Sequence, residues 1–172
     1  CGRRWGKTTY GIEKCLEGVL NEGGLYWWIG PTYKVAEIGW DMLKMVINQL
    51  RDSGMNIKTT EDDLTAQFPK GTIQMKSAEN PDLLRGAKLK GVVLDEAAQH
   101  KEVVWPEAIR PSLSDHRGWA IFIGTPKGKN WLYQDVYKPG TEGTDKEILV
   151  VRCRSVDNPW ASGKYLDKLR KT

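Results

Sequence analysis

The 172-residue sequence contains three cysteines, two histidines and no apolar run long enough to cross a bilayer, and each shortage removes a class of protein. Cys1, Cys15 and Cys153 are odd in number, far apart and without a C-x-x-C pair. That pattern argues against a disulfide framework and against paired zinc ligands, and it fits a reducing compartment best. His100 and His116 add few further ligands for a metal. The longest apolar stretches, residues 25–29 and 119–123, are five residues each, against the about 20 that a membrane helix needs. No proline-rich or Ser/Gly/Gln-rich tract is present, so disordered, collagen-like and solenoid classes drop out. The chain opens at Cys1-Gly2-Arg3-Arg4 without a methionine, a strand or a leader, which reads as a truncated start.

What remains is a globular composition, with 40% hydrophobic and 28% charged residues and a net charge of +4. A chain of this length can bury roughly 70% of the surface its unfolded form exposes, so a real core is possible. The mild positive charge leaves a nucleic-acid partner open without demanding one.

Hydrophobic period predicts a helix over residues 8–17, broken at Gly23-Gly24, then a buried strand over 25–29 ending at Gly30-Pro31-Thr32-Tyr33. A second helix is predicted over 34–50, with Val35, Ile38, Met42, Met45, Val46 and Leu50 recurring at helical spacing. Short alternating segments at 57–60, 64–68 and 72–76, separated by turn residues, predict antiparallel hairpins forming an edge insert. Residues 89–94 contain the run Gly91-Val92-Val93-Leu94, which reads as a buried strand that delivers Asp95-Glu96 at its end.

Further on, 103–113 is helical in pattern, with Pro106 arguing for a start and Pro111 for a break. A strand over 119–123 ends at Gly124-Thr125-Pro126; a short helix at 131–136, a strand at 147–153 and a helix at 161–170 follow. Strands alternating with helices predict an α/β fold, a mostly parallel sheet sandwiched by helices. Such sheets bind ligands at the C-terminal ends of their strands, here Pro31-Thr32-Tyr33, Asp95-Glu96 and Gly124-Thr125-Pro126.

Cys1-Gly2-Arg3-Arg4-Trp5-Gly6-Lys7-Thr8 nearly matches the phosphate-binding loop G-x-x-x-x-G-K-[ST], with Cys1 in place of the first glycine. In that pattern backbone N–H groups converge on phosphate oxygens, the lysine neutralises β/γ charge and the hydroxyl residue ligates Mg²⁺. Gly128-Lys129-Asn130 and Gly163-Lys164-Tyr165 are also Gly-Lys pairs, but neither is followed by a hydroxyl residue. The second element, Val92-Val93-Leu94-Asp95-Glu96, is an apolar strand followed by two acids, as a nucleoside triphosphatase requires: one carboxylate for Mg²⁺, one to polarise the attacking water.

Together with Asn80-Pro81-Asp82-Leu83-Leu84-Arg85-Gly86, Val93-Leu94-Asp95-Glu96-Ala97-Ala98 and Gly124-Thr125-Pro126-Lys127-Gly128, these motifs resemble, in order, the ATPase domain of the large terminase subunit of tailed bacteriophages. The resemblance implies a P-loop NTPase fold of the ASCE/RecA-like kind, truncated before its first strand, over residues 1–154, with 155–172 leading toward an absent nuclease domain. It implies ATP and Mg²⁺ as cofactors, held by Gly2, Arg3, Arg4, Trp5, Gly6, Lys7 and Thr8, with Thr8 and Asp95 on the metal. Glu96 is then the catalytic base, Arg3 the γ-phosphate sensor, Arg85 an arginine finger acting in trans, and Thr125 part of the coupling motif.

The implied function is ATP hydrolysis that drives double-stranded DNA into a procapsid. A homo-oligomeric ring would do this with the portal protein and the small terminase subunit, in the host cell cytoplasm and with no membrane association. The isolated piece is expected to be weak or inactive. Two alternatives stand beside it: the first motor domain of a superfamily 2 helicase, and a non-catalytic fragment that docks on DNA or the portal. Lys58, Lys70, Lys76, Lys88 and Lys90 are the DNA-contact candidates. Tyr33 can stack on adenine or pack beneath the strand end, with packing preferred. Trp119 and Trp131 are expected in the core.

Overall fold

The computed structural model describes residues 5–153 and Asn158. Its centre is a six-stranded sheet in the order β2-β3-β4-β1-β5-β6. The strands are β1 (Gly24–Gly30), β2 (Lys58–Thr60), β3 (Thr65–Gln67), β4 (Gly71–Ser77), β5 (Gly91–Leu94) and β6 (Trp119–Phe122). β1 runs parallel to both β4 and β5, and β6 runs parallel to β5, while β2, β3 and β4 form an antiparallel meander. The expected hairpins are therefore present, but the expectation that all three segments form an edge insert is corrected. β4 is an interior strand paired with β1 over seven residues, because Ile73 and Met75 are apolar enough to be buried there.

Both sheet faces are covered, which is why the strands read as unbroken apolar runs. Along β1, Tyr26 and Trp28 enter one core with Val93 of β5, while Trp27 and Ile29 enter the other with Val92 and Leu94. The first core is roofed by two long helices, α1 (Lys7–Asn21) and α2 (Tyr33–Asp52). The second is closed by a π-helical segment, Val104–Ile109, that continues as the single turn α3 (Arg110–Ser112). Pro111 lies in that turn.

The buried stripe of α2 is Ala36, Gly39, Trp40, Leu43 and Ile47; of the set predicted from apolar spacing, Val46 and Leu50 pack against this core while Ile38 and Met45 are exposed. The strand aromatics explain the difference. A Cβ on Gly39 would lie 2.8 Å from the Trp28 indole, and one on Gly18 of α1 would lie 2.5 Å from the Tyr26 ring. Large rings on the sheet need small residues on the helices above them, and a count of apolar side chains overlooks glycine.

Residues 147–153 form no strand, correcting that prediction. The predicted short helix at 131–136 is present as a helical run whose middle, Tyr133–Tyr137, is π-helical before α4 (Lys138–Glu142). The predicted helix at 161–170 and the boundary between 154 and 155 lie outside the described residues. Trp131 is buried and Trp119 packs against the first core, both as expected. Among the described residues, no helix is long and apolar enough to cross a membrane.

Candidate nucleotide site

Among the described residues, Asp95 and Glu96 follow the C-terminal end of β5, beside Gly124 after β6, where parallel sheets bind ligands. α1 begins at Lys7, one residue after Gly6, whose φ of 66° is a left-handed conformation. A Cβ at Gly6 would meet nothing within 4 Å, so the backbone angle, not crowding, is what calls for glycine there. Lys7 and Thr8 occupy the first turn with partly exposed side chains, and that turn holds no acidic residue to compete for an anion. Gly2, Arg3 and Arg4 lie outside the described residues.

Asp95 extends β5 by one residue, its N–H donating to the Ile29 carbonyl at 2.9 Å. Its carboxylate is largely buried, and burial pushes its pKa up to about 6. The Glu96 N–H, which donates to Asp95 Oδ1 at 2.9 Å, and the charge of Lys7 pull it back down, while the Glu96 charge raises it. Lys7 thus reaches Asp95 electrostatically although the two are far apart in the chain. The nearly buried Asp95 carboxylate is a hard oxygen donor of the kind that suits Mg²⁺, which usually takes one or two protein carboxylates and fills its remaining positions with phosphate and water. Among the described residues, no cluster of three or more His, Cys, Asp or Glu is arranged to hold a metal by itself.

Glu96 has a left-handed backbone at φ 45°, ψ 46°, a conformation that costs a non-glycine residue of order 1–3 kcal/mol and persists where surroundings enforce it. The enforcing contacts come from two sides. The Ala97 N–H donates to the Ile123 carbonyl at 2.8 Å, and Gly124 packs so close that a Cβ there would lie 3.1 Å from Glu96 Cα. Gln99 Nε2 donates to Glu96 Oε2 at 3.3 Å. Thr125, next in the chain after Gly124, is exposed.

Arg85 follows a 3₁₀ turn, Pro81–Leu84, that Asn80 caps through its side chain. It is held by Asp82 and Glu107 and half exposed. Glu107, Asn130 and His100 belong to no motif in the sequence; only the fold brings them to these positions.

One expectation fails here. Tyr33 is 44% exposed, so it does not plug the core; it opens α2, and its N–H donates to Glu79 Oε2 at 3.0 Å. The candidate lysines lie on several elements. Lys70 and Lys90 lie beside Gly23 and Gly24, at the end of the sheet opposite Asp95. Lys88 pairs with Asp115 and Lys90 with Glu22, while Lys76 lies over the Trp27 ring.

A mostly parallel sheet with flanking helices, a left-handed glycine opening α1 and an acidic pair at the end of β5 fit an α/β P-loop NTPase fold. The profile of the family described as terminase large subunit, T4likevirus-type, N-terminal, matches residues 1–161, and the chain belongs to that family. It is 36% identical over 154 residues to the large terminase subunit of Thermus phage G20c, covering 77% of this chain and 31% of that protein. It is 30% identical over 181 residues to the large subunit of Escherichia phage T5, covering 99% of this chain and 39% of that one. The chain thus spans well under half the length of these relatives.

Among solved structures, the large terminase ATPase domain of Thermus phage P74-26 matches with a TM-score of 0.70 at 33% identity, covering 77% of this chain and 60% of that domain. The large terminase of a thermophilic bacteriophage, solved in complex with ADP, shares the fold, with a TM-score of 0.76 at 19% identity over 99% of this chain and 42% of that one. Membership of the terminase family replaces the helicase alternative.

Proposed function

We propose that this chain is the ATP-hydrolysing part of a motor that packages double-stranded DNA. The observation that carries the reading is the placement of Asp95 and Glu96 at the C-terminal end of the parallel strand β5, in a fold shared with a terminase ATPase domain. Gly6, Lys7 and Thr8, with Gly2, Arg3, Arg4 and Trp5 completing the loop, would receive the triphosphate: backbone N–H groups and the helix start face the phosphates, and Lys7 neutralises their charge. Thr8 and Asp95 would hold Mg²⁺, which when bound supplies charge neutralisation and a fixed frame for the β- and γ-phosphates.

Glu96 then accepts the proton of the attacking water. Glu96 is partly exposed and Asp95 nearly buried, so of the two carboxylates Glu96 is the one open to water. Arg85, from a neighbouring subunit in a homo-oligomeric ring, would stabilise the charge that spreads over the γ-oxygens. Arg3 would sense the γ-phosphate. Thr125, immediately past Gly124 on the backbone that bonds the Glu96 turn, would carry the result of hydrolysis to the parts that grip DNA.

The remaining partners would be the portal protein and the small terminase subunit, in the host cytoplasm. MgATP binding and turnover by the full-length subunit, compared with Lys7→Ala, test the reading. Tight binding with turnover by the parent, both lost in Lys7→Ala, supports it, and a parent that binds DNA or portal without turning over ATP returns the docking-only alternative.

A further inference from the structure

The left-handed backbone of Glu96 raises the question of what holds it. The turn carrying it spans residues 95–100, and its carbonyls are taken up by three side chains. His100 Nε2 lies 2.8 Å from the Asp95 carbonyl. A carbonyl can only accept, so Nε2 carries the proton and Nδ1 does not. That second nitrogen is buried without a hydrogen-bond partner. A buried ring that leaves one nitrogen unsatisfied is costly.

From the other side, the segment following β6 reaches across. Trp131 Nε1 donates to the His100 carbonyl at 2.9 Å, and Asn130 Nδ2 donates to the Ala98 carbonyl at 2.9 Å. Trp131 is itself buried, with its ring edge-on to Phe122 of β6 at a centroid separation of 6.2 Å. The turn is therefore pinned at Asp95, Ala98 and His100 by side chains and at Ala97 by the Ile123 carbonyl, and three of these four ties come from residues 123–131. Two of them are single N–H donors on rigid, buried rings.

We infer that His100 and Trp131 are positioning residues for Glu96: His100 fixes the Asp95 carbonyl, Trp131 fixes the His100 carbonyl, and together they keep the Glu96 carboxylate beside Asp95 while tying it to the segment after Gly124. The inference rests on Glu96 being the base. It extends the reading from the strand end at Thr125 to a second connection six residues on, through which movement of the 126–131 segment would displace the base. Misplacing a base by about 1 Å can cost up to about a hundredfold in rate without touching nucleotide affinity.

The test uses the full-length subunit with His100→Leu, His100→Gln, Trp131→Phe and Glu96→Gln. Gln at 100 keeps a donor at the reach of Nε2, and Phe at 131 keeps the ring while removing the N–H. His100→Leu and Trp131→Phe should each lower kcat by about tenfold or more, with the dissociation constant for MgATP essentially unchanged, and His100→Gln should recover most of the rate. In nucleotide-free protein, amide exchange across 96–101 should speed up in Trp131→Phe while exchange in β1 and β5 stays slow. Parent rates in both variants, while Glu96→Gln is dead, would overturn the positioning role and leave the base in place. Equal losses of affinity, rate and core protection would reduce it to ordinary packing. Full turnover by Glu96→Gln would remove the reading on which the inference stands.

Discussion

Arg85 and Glu107 are bound to each other within one chain: Arg85 Nη2 donates to Glu107 Oε2 at 2.9 Å and Nη1 to the Glu107 carbonyl at 3.2 Å. Asp82 takes Nε at 3.1 Å. A guanidinium held this way must exchange a carboxylate for a phosphate before it can act on a neighbour's nucleotide. An exposed pair of this kind is weak, so the exchange is within reach. Mixing Arg85→Ala with Lys7→Ala full-length subunits should restore ATPase activity that neither variant has alone, and Glu107→Gln should raise the parent rate by at most about fivefold. No recovery at any mixing ratio would place Arg85 outside the reaction.

α1 lies close to the sheet because Gly11 faces Trp28: a Cβ there would sit 2.6 Å from the indole and 3.0 Å from Val93. Gly11→Ala should therefore destabilise the fold by about 1–3 kcal/mol in urea denaturation, although alanine is the better helix former by about 1 kcal/mol. An increase in stability would mean that the helix is free to lift away from Trp28.

Burial pushes the Cys15 thiol up to about 12 from 9.0 and the Tyr26 hydroxyl, helped by the charge of Glu22, up to about 12 from 10.0. Both groups keep their protons in the folded state at pH values where the unfolded chain has lost them. Their contribution to stability is thus intact below about pH 9 and is lost as pH rises from there toward 12. Chemical denaturation at pH 8 and pH 10.5 should show the parent weaker at the higher pH, with a smaller drop in Cys15→Ala. Alkylation of Cys15 should require unfolding.

The sheet and its two faces were legible in the sequence because a strand buried on both sides shows as an unbroken apolar run; 25–29, 89–94 and 119–123 were all placed that way. Lys7, Thr8, Asp95 and Glu96 were legible because phosphate chemistry restricts residue types at fixed spacing. On α2, Gly39 carries no side chain yet faces Trp28, so apolar spacing leaves it out, and the buried stripe through Trp40, Leu43 and Ile47 is displaced around the helix from the predicted one. Glu107, His100 and Asn130 left no signal: a hydrogen bond to a carbonyl from a distant segment depends on the fold, and no local pattern encodes it. The placement of β4 beside β1 likewise depends on a parallel pairing across 40 residues of intervening chain, as in the register Gly24↔Gly71.

The account turns on Glu96 as the proton acceptor, and steady-state MgATP hydrolysis by the full-length subunit carrying Glu96→Gln, measured beside nucleotide binding to the same protein, tests it most directly. Turnover should fall by at least about a hundredfold while MgATP binding is retained. Hydrolysis at the parent rate, with binding intact, would contradict it.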